Sequence, residues 1–530
     1  MSLYDAKLYH EAASLLRKVA GRNSKMPTTY YYLGMIGVKQ RNNAAIRHYF
    51  TKLAALCPEY PMPLAHYWMA VILYTDSNYG GAVKELNLYF DLANHANDKE
   101  ALALYQDASN YLYWSRFLAD AYAHPVPFVP NKLGGISSDD AETLPYVTWD
   151  GHECYFLRMV PGKPRDEFYQ STIQPVTPYL MLSTWGDSAF SKGIALPAPF
   201  NQHEHEGSIT ITADGNTLYY SIVTTERGYD NCDIYCSHRE HGSWQELQNA
   251  GRNVNSSNSW ESQPSITADG QWLYFASNRD GGYGGTDIWR CHRLPNGDWS
   301  RAENLGERVN TEGDEKCPFI HADGHTLYFA SNGWQGFGGY DEYYIDLHNA
   351  AQMRPVNLGL PVNSENDMLC FSVSADGCTA YYSDNEDVYT FQLHEAARPA
   401  PMAFVTVHRH DLPDTAYMLS LKDTNFIVSY SEGHFPYFAI MNGCPADIRV
   451  LTVSPAPLVL NRKYPLPSSS YHFVDALAVW LLQHPRIHIR IEGLCADTVL
   501  SRLLQQGCRA ERLVSSPTTS SYTTIVVTQQ

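Results

Sequence analysis

The chain has 530 residues, which at roughly 150 residues per domain suggests about three to four domains. A hydrophobic fraction of 44%, with 13% aromatic residues, can fill real cores and excludes wholesale disorder. The formal charge of −18, without any Lys/Arg run, leaves no basic face for nucleic acid.

No stretch approaches the run of about 18 apolar residues that a membrane span needs. Met1-Ser2-Leu3-Tyr4-Asp5 leads directly into an amphipathic helix, with no apolar signal core, and the first cysteine, Cys57, lies too far in for a lipid anchor. The 11 cysteines include no C-x-x-C pair of the zinc or redox kind.

Residues 1–124 read as paired helices. Leu8, Ala12, Leu15, Leu16 and Val19 keep helical spacing, as do Ala45, Ile46, Tyr49, Phe50 and Leu53, then Val83, Leu86, Tyr89 and Phe90. A small residue opens each stripe at Ala12, Ala45 and Ala82, separations of 33 and 37. That is close to the tetratricopeptide period of about 34, in which small residues let helices approach. Tyr9-His10-Glu11-Ala12 has no partner helix before it, so a half-repeat with an uncovered apolar face is expected there. A last helix is expected over Lys99–Ala123, and His124-Pro125-Val126-Pro127-Phe128-Val129-Pro130 ends the helical region as a stiff linker.

Residues 131–400 change to an alternating period and repeat. Asp214-Gly215, Asp269-Gly270, Asp323-Gly324 and Asp376-Gly377 each precede an apolar strand, at separations of 55, 54 and 53. Asp150-Gly151 precedes Cys154-Tyr155-Phe156 in the same way. Asp-Gly between alternating runs is a hairpin signal. Asn201, Asn255, Asn310 and Asn363 keep phase, as do Asn249, Asn304 and Asn357, while Asp233, Asp287, Asp341 and Asp387 open a third strand. Sheets of three or four strands cannot cover both of their own faces, and stacking them radially predicts a β-propeller of five or six blades. Residues 403–455 predict a small β-sandwich, and residues 456–530 an α/β domain with a helix over Tyr471–Gln483, a strand over Ile487–Glu492, a helix over Asp497–Gln506 and a strand over Thr523–Thr528.

This order resembles the PorE-like multidomain periplasmic family of Bacteroidetes, associated with type IX secretion. The resemblance rests on Asn304-Leu305-Gly306, Ala322-Asp323-Gly324 with Leu327-Tyr328-Phe329, and Gly284-Gly285-Thr286-Asp287-Ile288-Trp289. It implies a TolB-like propeller, a carboxypeptidase-regulatory-like sandwich and an OmpA-like tail at the outer membrane. An OmpA-like domain grips the diaminopimelate zwitterion with an Asp and an Arg. Here Leu494-Cys495-Ala496 stands in place of His-Thr-Asp, and Tyr522-Thr523-Thr524 in place of Asn-Arg-Arg, so the clamp is degenerate and peptidoglycan an unfavoured partner. A shifted clamp would use Asp497 with Arg502 or Arg512.

No catalytic residue, cofactor or metal site is assigned. His203-Glu204-His205-Glu206 lies in a blade loop without a third remote ligand. The Asp-Gly aspartates order turns, no carboxylate pair stands out for glycoside hydrolysis, and Gly-x-Ser-x-Gly is missing. The glycines of 281–285 and 336–339 read as tight turns needing positive φ rather than a phosphate cradle. Cys317 and Cys370, in equivalent blade positions, are expected to lie beyond disulfide reach; Cys232 and Cys236 could pair locally. The function expected is a non-enzymatic scaffold or adaptor binding other protein subunits of an envelope complex. Tyr30, Tyr31 and Tyr67 are its candidate contacts in the helix groove, and Trp260, Tyr283 and Trp334 on propeller loops. The alternatives are a peptidoglycan tether and a propeller hydrolase.

Overall fold

A computed structural model describes residues 2–95, 99–161, 176–202, 205–226, 229–240, 242–384 and 386–409. Beyond 409 it describes shorter stretches, chiefly 412–420, 425–432, 435–442, 450–452, 463–466, 488–493, 496–517 and 523–529. The chain divides into two compact units, one of residues 1–127 with 335–338 and 359–365, the other holding the remainder.

The first unit is built from helix pairs. Pro27–Lys39 packs on Asn43–Leu56, and Pro63–Thr75 on Tyr79–His95. Pro27 and Pro63 stand in the first turns of their helices, where a missing N–H costs nothing. Asn42 and Asn78 cap the second helices by accepting Ala45 N–H and Gly81 N–H. Lys7, Arg41 and Ser77 each take a left-handed φ just before a helix, 34 and 36 residues apart, so the repeat is one of backbone shape as well as apolar pattern. Gly34 explains the small residues: a Cβ there would come within 2.7 Å of the Phe50 ring. A short helix, Ser2–Asp5, does precede Tyr9–Arg22, and the expected last helix breaks at Leu104 into Lys99–Ala103 and Tyr105–Ala123.

The second unit holds a β-propeller of five blades, each a small antiparallel sheet. The inner strands are Ala141–Val147, His205–Ile211, Glu261–Ile266, Glu315–Ile320 and Leu369–Val373. No sixth blade is needed, because Asn131–Lys132 pairs with Val388–Gln392 and supplies the outer strand of blade 5. Every inner strand carries a register shift. In four of them a non-glycine residue takes left-handed φ there: Leu144 (55°), Gln263 (54°), Cys317 (48°) and Cys370 (59°). Such bulges bend the strands inward, and around them lies an axial cavity of about 50 Å³. The bend also corrects the cysteine expectation. Cys317 and Cys370 approach to a Cα separation of 5.0 Å and form a disulfide, while Cys232 and Cys236 are both free.

The in-phase polar residues are blade clasps. Asn255 accepts Ile234 N–H at 2.9 Å, donates to Ile234 C=O at 2.8 Å, and donates again to Asn249, which in turn donates to Asp233. Asn310, Asn304 and Asp287 repeat the chain around Ile288. Each clasp satisfies edge groups that a four-stranded sheet would otherwise leave open. The glycine pairs need a correction. Gly281 has φ +91°, but Gly285 and Gly339 do not take positive φ. They are glycine because the next blade lies against them: a Cβ would come 2.4 Å from Asp314 Oδ1 and 1.9 Å from Asp367 Oδ1, respectively.

The Asp-Gly turns are ordered as expected, with Thr212 Oγ1 and Asn216 N–H both donating to Asp214 Oδ1. In blade 4 a histidine, His321, takes the threonine's place. Asp323, 2% exposed, instead accepts from the N–H groups of His325, Thr326 and Ala400 and from the Thr326 hydroxyl. Burial alone would raise its pKa, but His321 and these donors outweigh it and hold the carboxyl well below the usual range. A depressed folded pKa gives stability that is complete above the unfolded value of about 3.9 and is lost as pH falls through the folded one. Asp323→Asn is therefore expected to cost about 1–3 kcal/mol at neutral pH and to flatten the acid limb of stability below about pH 4. Urea midpoints across pH measure this, and an unchanged acid limb would refute it.

After the propeller, Met402–Arg409 pairs with Leu412–Ser420 and with Val450–Thr452, and Asn425–Glu432 forms a hairpin with Phe435–Asn442. The tail is a mixed sheet in which His488–Glu492 lies parallel to Leu513–Ser516 and antiparallel to Thr523–Gln529. The helix Ala496–Gln505 packs Val499 and Leu503 into a core with Ile489 and Ile491. Two of its strands, Lys463–Leu466 and Leu513–Ser516, were not expected.

Candidate functional site

Four blades carry a glutamate at the first or second residue of the inner strand, and the three whose side chains are described are structural anchors. Glu142, Glu261 and Glu315 are fully buried. Ser138 and Arg158 bond Glu142; Ser256, Ser259 and Ser277 bond Glu261, with Arg279 at 3.1 Å; Thr311 and Ser331 bond Glu315. Each ties the incoming loop to its blade, and none faces an open space.

A different carboxylate does. Between the Asp-Gly turns of blades 1 and 2 lies a groove of about 330 Å³, lined by Asp150, His152, Glu153, Asp214 and Arg239. Thr148 Oγ1 and His152 N–H donate to Asp150 Oδ1, which fixes the turn and launches the strand Glu153–Pro161. The period of two puts Glu153 and Tyr155 on one face, where Tyr155 OH donates to Glu153 Oε2 at 2.7 Å. From blade 2, Arg239 reaches within 3.9 Å of Glu153 Oε1, its guanidinium 4.6 Å from the centre of the Trp244 ring. Arg239 Nε is buried with no hydrogen-bond partner among the described residues. Burial and the Glu153 carboxylate push the Tyr155 phenol well above its ordinary value, so it stays neutral and acts as a donor.

The repeat separates what is structural here from what is particular. At the next junction Tyr219, Arg293 and Trp299 hold the places of Tyr155, Arg239 and Trp244, with Arg293 donating to Tyr219 OH at 3.0 Å and stacked on Trp299. Burial pushes Tyr219 up to about 12. The tyrosine, arginine and tryptophan thus belong to the blade junction, but Thr217 occupies the place of Glu153. Glu153 is the departure from the repeat. That contrast was present in the sequence as a carboxylate where other blades carry threonine or tryptophan.

The sequence-derived candidates are placed as follows. Tyr30, Tyr31 and Tyr67 lie in the helical core, each 4% exposed, and Tyr67 OH donates to Asp107. Trp334 packs against the blade 4 core and donates from Nε1 to Val309 C=O; Trp260 is half-buried, and Tyr283 is exposed. In the tail, Asp497 accepts from Ser515 Oγ at 2.5 Å, and Arg512 is buried, donating to Leu481 C=O. Arg502 lies on the helix that Asp497 opens. His203 and Glu204 fall outside the described residues, and no metal-binding group of His, Cys, Asp and Glu occurs among those described. No described helix is long and apolar enough to cross a membrane.

No family model and no curated protein matches the sequence. Solved structures do resemble it. An endo-arabinase from Bacteroides thetaiotaomicron is 14% identical with a TM-score of 0.32, covering 50% of this chain and 98% of that one. An α-L-arabinofuranosidase from Podospora anserina is 12% identical at 0.31, covering 50% and 96%. Prolyl oligopeptidase B from Galerina marginata is 15% identical at 0.26, covering 57% of this chain and 40% of that one. At these values the likeness concerns the propeller fold and transfers no activity. It does correct the expectation of a non-enzyme: propellers of this kind include glycoside hydrolases and a prolyl peptidase, so the architecture is no ground for excluding catalysis, and the non-enzymatic scaffold is withdrawn.

Proposed function

We propose that the chain is a propeller hydrolase acting on a saccharide in the groove between blades 1 and 2. The observation that carries this reading is Glu153, a half-exposed carboxylate at a position where the sister blade has threonine, with one oxygen held by Tyr155 and the other turned to Arg239. Sugar hydroxyls donate to carboxylates and accept from a guanidinium, and the groove offers both. Glu153 takes the proton of the attacking water as the anomeric C–O bond breaks, and Tyr155 fixes its rotamer. The departing oxygen leaves as an anion whose charge Arg239 meets before solvent water protonates it.

Turnover of an aryl-glycoside panel by the full chain tests the reading. Glu153→Thr installs the sister blade's residue and should fold normally, yet is expected to lower kcat/KM about a hundredfold or more. No turnover across the panel, or full activity in Glu153→Thr, would overturn it.

Two further observations support the finer family reading as a multidomain envelope protein. Helix pairs with a backbone repeat near 34 residues fit tetratricopeptide-like units, and the tail's helix beside a mixed sheet fits an OmpA-like scaffold. The Cys317–Cys370 disulfide supports a periplasmic location, because such bonds persist in oxidising compartments.

A further inference from the structure

The inner strands of neighbouring blades are joined by one recurring bond. A side chain four residues before the Asp-Gly aspartate bonds the backbone of the residue three before the next. Tyr146 OH donates to Ile211 C=O at 2.9 Å, Thr210 Oγ1 accepts Ile266 N–H at 3.1 Å, and Ser265 Oγ accepts Ile320 N–H at 2.9 Å. At the junction of blades 4 and 5 that position is Phe319, which has no polar atom to give. The disulfide stands at this junction. The two bulge positions it joins are linked without covalency one junction earlier, where Gln263 Oε1 accepts Cys317 N–H at 2.9 Å.

Blade 5 is also the blade that closes the ring. Its outer strand is the two-residue segment Asn131–Lys132, held by pairing to Tyr389 and Thr390 and by the Lys132–Asp387 ion pair. Blade 5 is therefore the blade sealed by a separate chain segment on its outer edge. Toward blade 4, the disulfide and a bond between His321 Nε2 and Ser374 C=O at 3.0 Å stand where the other junctions have the recurring latch.

We propose that the Cys317–Cys370 disulfide is a redox-dependent staple that holds blade 5 in the ring, locking the propeller when oxidised and freeing that blade to open when reduced. A dithiol reductant supplies two electrons and two protons; the S–S bond breaks to two thiols and the reductant leaves as its own disulfide. The other buried thiols do not compete for exchange. Burial pushes Cys232 and Cys291 up to about 12, and Cys154 higher still, so thiolate is scarce at each.

The test reduces the native full chain with a dithiol and follows hydrogen exchange by peptide. Amides of 369–373, 379–383 and 388–392 are expected to exchange about tenfold faster or more, with 261–266 and 272–277 little changed. The propeller's Tm should fall by roughly 5–10 °C on reduction, and Cys317→Ser should reproduce the fall without responding to reductant. If that variant does not fold, exchange in the reduced wild type decides alone. Absence of a 317–370 linked peptide in the oxidised protein, or equal exchange in blade 5 with and without reductant, would overturn the proposal.

Discussion

Replacing Arg158 by methionine is expected to destabilise the propeller by about 3–5 kcal/mol, because it leaves Glu142 charged and buried without its counter-ion. Arg158 is 6% exposed, and Glu142 is completely covered. The guanidinium donates from Nε to Glu142 Oε1 at 2.8 Å and to the carbonyls of Ile136 and Lys192, both at 2.9 Å. It thereby ties the incoming loop, the inner strand and the outer edge of blade 1 together. Methionine preserves much of the volume but none of these donors, so the loss is electrostatic rather than one of packing. Adding Glu142→Gln to Arg158→Met should recover a large part of the loss, since the uncompensated charge is then gone. Denaturant titration followed by tryptophan fluorescence measures both. A cost below about 1 kcal/mol for Arg158→Met would show that the pair anchors nothing.

The same anchor shows why some of the architecture could be read in the sequence and some could not. Asp214, Asn255 and Asn310 were legible because a propeller repeats its backbone problems, and each blade solves them with the same side chain at the same phase. The disulfide was not legible. Phase places Cys317 and Cys370 on equivalent strands, but the approach to 5.0 Å depends on two left-handed bulges that no residue type announces. Glu153 escaped for the opposite reason: a search for recurrence passes over the position where recurrence fails. Tyr30 and Tyr67 were candidate surface anchors on composition, yet a helix pair uses its large aromatics to fill the space between helices.

Glycine gives the sharpest separation, since a turn and a close approach ask for the same residue on different grounds. Gly339→Ala is expected to cost about 2–4 kcal/mol although its backbone suits alanine. The added methyl would lie 1.9 Å from Asp367 Oδ1, the atom that accepts Tyr340 N–H at 2.8 Å. The carboxylate cannot retreat without giving up that bond, so the latch between blades 4 and 5 and the packing fail together. Gly285 faces Asp314 in the same way across blades 3 and 4, with Thr286 N–H as the donor, and Gly285→Ala should behave alike. Gly281→Ala supplies the contrast. Its φ of +91° is unfavourable for alanine, but nothing lies within 4 Å of the new methyl, so only about 1 kcal/mol is expected. Thermal unfolding of the three variants measures the difference. Equal losses at Gly339 and Gly281 would mean that backbone conformation, and not contact between blades, selects glycine at both.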